Sequence, residues 1–179
     1  MRTLLALSRG IDAVNTGLGR IAAVAILISC LISAGNAGMR YAFSMSSNAW
    51  LEIQWYLLAV VVMLGASVTL RLNKHVRVDL VYMSVKPRTR LWIDTLGTIL
   101  FLLPATIILS VMSWRLFYNS WIIGEHSSNA GGLLRWPVKL LLPVGFFLLS
   151  LQGISELIKQ IAARKGLIEV TTDYEVPMQ

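Results

Sequence analysis

Side chains that bind metals or haem, or that act as nucleophiles, are scarce in this 179-residue chain. His75 and His126 are its two histidines, and Cys30 is its one cysteine. Haem inside a helix bundle needs histidines that face each other, and a disulfide framework needs paired cysteines. The two histidines lie in different hydrophilic segments, and no Ser/His/Asp or Cys/His set can be placed on one face. The sequence therefore predicts no catalytic residues, no metal, no cofactor and no enzymatic activity.

Glu52 is the acidic residue nearest to an apolar stretch. A small proton-coupled transporter would need a carboxylate inside the membrane, where a charge costs at least about 2.5–3.5 kcal/mol and is kept for ion or proton work. Glu52 lies about one turn inside the start of a predicted helix, where the helix dipole favours an anion. The simpler interpretation is a capping and interface carboxylate, which leaves a chain with no active site of its own.

Four apolar stretches dominate the rest of the chain. The sequence is 56% hydrophobic and only 14% charged, with a mean hydropathy of +0.67, whereas soluble domains carry about 25% charged residues. Each stretch approaches the roughly 20 residues that cross a hydrocarbon core about 30 Å thick. The sequence thus predicts an all-α integral membrane protein, a single membrane domain over 1–179. Its four transmembrane helices are expected at residues 19–43, 51–71, 93–116 and 138–158, and Pro104 is expected to kink the third.

The distribution of Lys and Arg predicts the orientation. The amino-terminal tail, the loop 71–94 and the residues after 158, including the tail 164–179, hold twelve of the sixteen basic residues. The loops 40–52 and 115–139 hold the other four. Cytoplasmic segments carry the excess of basic residues, so both termini are predicted to be cytoplasmic and the two poorer loops periplasmic. The net charge of +7 flanks the spans and indicates contact with membrane lipids rather than nucleic acid.

The loop 71–94 is amphipathic. Val78, Val81, Tyr82 and Val85 share one helical face, although residues 76–80 also alternate as a strand does. An exposed strand edge is unfavourable at a lipid surface, because its backbone groups would lack partners. We therefore expect an amphipathic interfacial helix between spans two and three.

The first span carries a stripe of small residues. Ala25, Ser29, Ser33 and Ala37 recur at every fourth position, and Asn36 is the most polar residue within a span. Small residues on one helical face let two helices approach closely in lipid, where apolar burial alone does not drive association. The stripe is predicted to be a packing surface, with Asn36 bonded to a neighbouring helix or backbone carbonyl.

Three stretches resemble the small membrane subunit (DctQ-type) of tripartite ATP-independent periplasmic (TRAP) transporters. They are Asn48-Ala-Trp-Leu-Glu-Ile-Gln-Trp-Tyr, Leu64-Gly65 and His75-Val-Arg-Val-Asp79-Leu. Residues 120–139 are similar to the branch called mannitol/chloroaromatic, whose relatives include transporters of α-keto acids. In this resemblance, Trp50 and Glu52 correspond to the family's acidic start of span two. His75, Arg77 and Asp79 correspond to its basic turn after that span.

The resemblance implies a scaffold role in the bacterial inner membrane. It implies a secondary transporter, driven by an ion gradient and sodium-coupled, that imports an organic acid. A periplasmic binding protein would deliver the acid to a large membrane subunit, which holds the substrate and ion sites and moves against this chain. A stand-alone small transporter and the membrane-anchor subunit of a redox complex are the alternatives.

The loop 115–139 is longer than a helical hairpin requires, and long ordered loops are commonly functional. Arg and Trp are enriched at binding hot spots, so we expect this loop to contact the binding protein, chiefly through Arg135 and Trp136. Interfacial anchoring by tryptophan is the alternative interpretation.

The orientation can be tested with reporter fusions. We expect fusions at Lys86 and Arg164 to show cytoplasmic activity and a fusion at Ser128 to show export. The reason is that most basic residues lie in the segments on the same side as Lys86 and Arg164. The opposite pattern at Ser128 would contradict the orientation.

Overall fold

A computed structural model describes residues 1–45, 47–72, 87–129 and 132–167, and all the regular elements in these ranges are helices. The predicted interfacial helix falls within residues 73–86, outside the described residues, as do His75, Arg77 and Asp79. The helices are α1 (Arg2–Phe43), α2 (Asn48–Arg71), α3 (Pro87–Gly97), a π-helical turn (Thr98–Leu102), α4 (Leu103–Ile122) and α5 (Trp136–Arg164).

The prediction of an all-α protein with four transmembrane helices is confirmed. The four spans are α1, α2, the continuous rod over Thr89–Ile122 and α5, each long and apolar enough to cross a membrane. The helix α1 begins at Arg2, so it extends well before the predicted span 19–43. Its 42 residues make a rod about 63 Å long, roughly twice the thickness of the hydrocarbon core.

α5 is the central helix. It packs against α1, α2 and α4, while α1 and α2 also pack against each other. In its most apolar window 39% of the residues are buried, against 11% in each of the other three spans. We call the end of the bundle with the starts of α1 and α3 and the ends of α2 and α5 the termini end. The opposite end, with the loop 123–135, is the loop end.

The interior is polar and the exterior apolar, the reverse of a soluble protein. Leu31 and Val111 are among many large apolar side chains that face outward, at 64% and 65% exposure. Apolar side chains gain nothing from leaving hydrocarbon, whereas polar groups there need partners within the protein. The largest fully buried side chains in the described part are accordingly Gln152, Asn15, Ser8, Ser67, Ser120 and Ser155.

Gly145 sets the closest approach of two backbones. A Cβ atom at this position of α5 would lie 2.7 Å from the Cβ atom of Met63 and 3.1 Å from its carbonyl oxygen, on α2. Real Cβ atoms do not approach other atoms so closely, so only glycine fits without moving α2. α2 and α5 therefore touch through backbone rather than through large side chains.

Pro104, the residue predicted to kink the third span, coincides with a change in helical geometry. A π-helical turn precedes it, in which the N–H of Leu103 donates to the carbonyl of Thr98, five residues back. Proline has no N–H, so the carbonyl of Leu100 cannot receive the usual helical bond. A wider turn accommodates this loss, and the rod over Thr89–Ile122 continues through it.

We expect Gly145→Leu to lower the melting temperature of the purified protein by several degrees, since overpacking costs about 1–3 kcal/mol. Gly38→Leu is the matched control, because a Cβ atom there meets nothing within 4 Å. Thermal unfolding in detergent measures both. Equal melting temperatures for the two variants would contradict the close approach of α2 and α5.

Candidate functional site

The loop between α4 and α5 folds back on itself. His126 and Leu134 form an antiparallel bridge, and the N–H of Ser127 donates to the carbonyl of Leu133 at 2.9 Å. The N–H of Arg135 donates to the carbonyl of Glu125 at 2.8 Å. Backbone bonds thus hold the two sides of the loop together, although residues 130 and 131 at its tip lie outside the described residues.

Glu52 fastens this loop to α2. Its Oε2 atom accepts the N–H of Leu133 at 3.0 Å, and the Ser127 hydroxyl bonds the same carboxylate. One turn further along α2, the Tyr56 hydroxyl donates to the carbonyl of Leu134 at 3.1 Å. Glu52 is only 9% exposed, and its bonds join helix α2 to the loop. Ser47, the residue before α2, makes no capping bond through its side chain.

Glu125 ties the loop to the start of α5. Its carboxylate pairs with the ammonium of Lys139 and lies 3.5 Å from the guanidinium of Arg135. The bond from Lys139 is the main cause that lowers the pKa of Glu125. A lowered pKa keeps the carboxylate charged, so these pairs persist at neutral pH and are lost only in acid, as the pH falls through the lowered pKa.

Arg135 and Trp136 lie side by side, as their sequence positions require, but face different surroundings. The Arg135 side chain is 40% exposed. The Trp136 ring is half-buried and meets the ring of Trp121 edge to face, with 4.5 Å between centroids. Trp121 continues into an aromatic ladder with Phe117 and Trp114 along α4. Arg135 is thus available to a partner, whereas Trp136 closes the loop against α4.

A groove of about 590 Å³ opens beside this loop. Glu52 and Tyr56 line one side, and Arg135 and Lys139 line the other, with the 72% exposed ring of Trp55 at its edge. Its two cations are balanced by Glu52 and the adjacent Glu125. The groove is lined by both polar and apolar side chains and is close to neutral in charge.

The remaining predicted residues lie along the α1–α2 pair. Ala25 is buried and Ser29 half-buried, while Ser33 and Ala37 are exposed. Asn36 is half-buried and shares a small groove with Trp50, which is 50% exposed. The small-residue stripe is therefore partly used within the chain and partly open.

A polar cluster at the termini end was not predicted. Asp12 of α1 accepts hydrogen bonds at 2.9 Å from both Gln152 and Ser155 of α5. The ammonium of Lys159 lies 3.0 Å from Asp12 and 2.6 Å from Glu156. These charged side chains are 20–23% exposed, so the protein rather than solvent supplies most of their surroundings.

Further bonds extend the cluster to α2. Asn15 donates to the Oε1 atom of Gln152 at 2.6 Å, and Ser8 shares a 2.7 Å bond with Ser155. Arg71, the last residue of α2, donates to the carbonyl of Asp12 at 3.0 Å and to the Thr16 hydroxyl. With Asp12, Glu156, Lys159 and Arg71, the cluster contains two negative and two positive charges.

The sequence contained a signal for this cluster. Ser8, Asp12 and Asn15 share a helical face, as do Gln152, Ser155, Glu156 and Lys159, at spacings of three and four. Because the first span was predicted to begin near Arg20, the group Ser8, Asp12 and Asn15 fell within the predicted amino-terminal tail.

α3 is held to the same end of the bundle. Thr95 donates to the Oε1 atom of Gln160 at 2.8 Å, and Arg164 donates to the carbonyl of Leu91 at 2.9 Å. The Arg164 guanidinium also lies over the ring of Trp92, 4.0 Å from its centroid. These contacts join the start of the third span to the end of the fourth.

The arrangement can brace helices and offer surfaces to partners. Within the described ranges, no group of three or more His, Cys, Asp or Glu side chains comes together to hold a metal ion. Cys30 is exposed on α1.

We expect Asp12→Ala to lower the stability of the purified protein by about 1–3 kcal/mol, because Lys159, Gln152 and Ser155 lose a shared acceptor. Arg9→Ala is the control, since Arg9 lies three residues earlier on α1 and is exposed. Thermal unfolding in detergent measures the difference. If Asp12→Ala melts like Arg9→Ala, the cluster does not hold α1 to α5.

Comparison with known proteins identifies the family. The family model of the DctQ component of tripartite ATP-independent periplasmic transporters matches residues 19–163. Comparison with curated proteins and with solved structures gives no match. The matched range covers most of the chain and includes large parts of all four spans. The chain therefore belongs to the DctQ family: it is the small component of a TRAP transporter and a multi-pass protein of the bacterial inner membrane.

Proposed function

We propose that this chain is the fixed scaffold of a secondary transporter that imports an organic acid with a sodium gradient. A large membrane subunit carries the acid and the ion, and a periplasmic binding protein delivers the acid. The family match is the observation that carries this proposal. The resemblance of residues 120–139 to a branch that includes α-keto acid transporters supports an acidic substrate.

The state of the carboxylates supports a scaffold rather than a carrier. Asp12 and Glu156 share Lys159, and Glu52 is bonded to the loop between α4 and α5. A small proton-coupled carrier needs a membrane carboxylate that exchanges its partner during transport. These three carboxylates instead hold helices and a loop together.

The loop end faces the periplasm in this proposal. The distribution of Lys and Arg supports that orientation, and the termini end contains Arg2, Arg71 and Arg164. The binding protein then meets the loop 123–135, where Arg135 is 40% exposed. Trp136 contributes mainly by keeping the loop closed, through its contact with Trp121.

Uptake into proteoliposomes tests the proposal. We expect acid uptake when this chain, the large subunit and the binding protein are present with an inward sodium gradient, and none with this chain alone. Uptake by the isolated chain would identify a stand-alone transporter. Full uptake by the large subunit and the binding protein without this chain would remove the scaffold role.

The same assay resolves the role of Arg135. Arg135→Glu places a negative charge beside Glu125, so it disturbs the loop as well as its surface. The triple variant Arg135→Glu, Glu125→Arg, Lys139→Glu reverses all three charges and so restores both ion pairs of the loop. If Arg135 itself meets the binding protein, both variants lower uptake, most visibly at low salt. Recovery in the triple variant would limit Arg135 to holding the loop.

A further inference from the structure

A second groove, of about 540 Å³, opens between α1 and α2 near the loop end. Its lining combines amides, a hydroxyl, a phenol and a guanidinium with two apolar residues. The lining side chains are Ser33, Asn36, Ala37, Arg40, Tyr41, Leu51 and Gln54. The lining contains one cation and no carboxylate, in contrast to the nearly neutral groove beside the loop.

Two donors in this groove lack partners. The guanidinium of Arg40 makes no ion pair or hydrogen bond with any residue that the structure describes. The Nε2 atom of Gln54 is buried and likewise without an acceptor in the described ranges. A buried amide without an acceptor is unfavourable by about 1–3 kcal/mol, and Gln54 belongs to a membrane-spanning helix, where little water is available to it. Neither donor has an acceptor among the described residues, so both are available to an acceptor on a partner.

The small-residue stripe of α1 leads into the same groove. Ala25 is buried by the chain's own helices, Ser29 is half-buried, and Ser33 and Ala37 are exposed in the groove. Small residues at every fourth position allow the close approach of a second helix, whereas lipid tails pack equally well against large side chains. In the part of the chain that the structure describes, the first half of the stripe packs against another helix and the second half is open.

We propose that this groove receives a transmembrane helix of the large subunit, with a carboxylate on that helix paired to Arg40. The proposal rests on the proposed function, because it names where and how the same partner binds. Ser33 and Ala37 let the two backbones approach, and a carbonyl or side-chain oxygen of the partner accepts from Gln54. A carboxylate is favoured because the groove supplies an uncompensated guanidinium, which binds carboxylates through two parallel bonds.

Site-specific photo-crosslinking in the membrane tests the position. Tyr41 is 95% exposed in the groove, so replacing it with the photoreactive amino acid benzoylphenylalanine is a conservative change. Tyr118 of α4, 54% exposed, is the matched control on another helix. We expect a crosslink to the large subunit from position 41 and not from position 118. A crosslink from position 118 alone, or only lipid adducts from position 41, would overturn the inference while the complex still copurifies.

Variants at Arg40 test the chemistry. Arg40→Gln should reduce the crosslink from position 41 by about tenfold, the loss expected for one charge-assisted contact, while Arg40→Lys retains most of it. Arg115→Gln, which removes another exposed arginine near the loop end, should change nothing. An unchanged crosslink in Arg40→Gln would rule out the paired carboxylate. If the unaltered chain does not copurify with the large subunit, the scaffold role itself is refuted, and this inference with it.

Discussion

A polar group inside this protein has no water with which to form hydrogen bonds, so it must bond to a group on another helix. Gln152 at the centre of α5 shows how strongly this determines the fold. Its amide nitrogen donates to Asp12 and Glu156, and its amide oxygen accepts from Asn15. Rotating or sliding α5 would break its bonds to Asp12 and Asn15 together, so the position of α1 on α5 follows largely from the chemistry of one fully buried side chain.

The remaining contacts follow the same physics. Lipid tails are as apolar as leucine, so apolar burial does not drive these helices together. The helices are instead held together by polar contacts at the two ends of the bundle and by a close backbone approach between those ends. Glu52 and Glu125 hold the loop end, Asp12 and Lys159 hold the termini end, and Gly145 brings α2 against α5 in between. The charged contacts thus lie at the two ends of the helix bundle, where a charge is least unfavourable.

Hydropathy and charge were sufficient to predict the four spans, because those patterns report directly on the surrounding solvent. They failed where a charged residue belongs to a packed helix. Asp12 was assigned to a tail, since its partners Gln152 and Ser155 lie about 140 positions away and no local pattern connects them to it. The same holds for Glu52, whose partners lie in the loop before α5. The small-residue stripe was recognised, yet only the structure divides it into a half used internally and a half left open.

The length of α1 has a consequence for the order in which the protein assembles. Ser8 and Ser155 form a hydrogen bond across 147 residues of sequence, so the first turns of the first helix gain their partners only when the last helix is in place. Contacts this distant in sequence form late, and a chain made from its amino terminus exposes Asp12 throughout its synthesis. Insertion of α5 then supplies the partners of Ser8 and Asp12, so the packing of the first helix is completed only by the last.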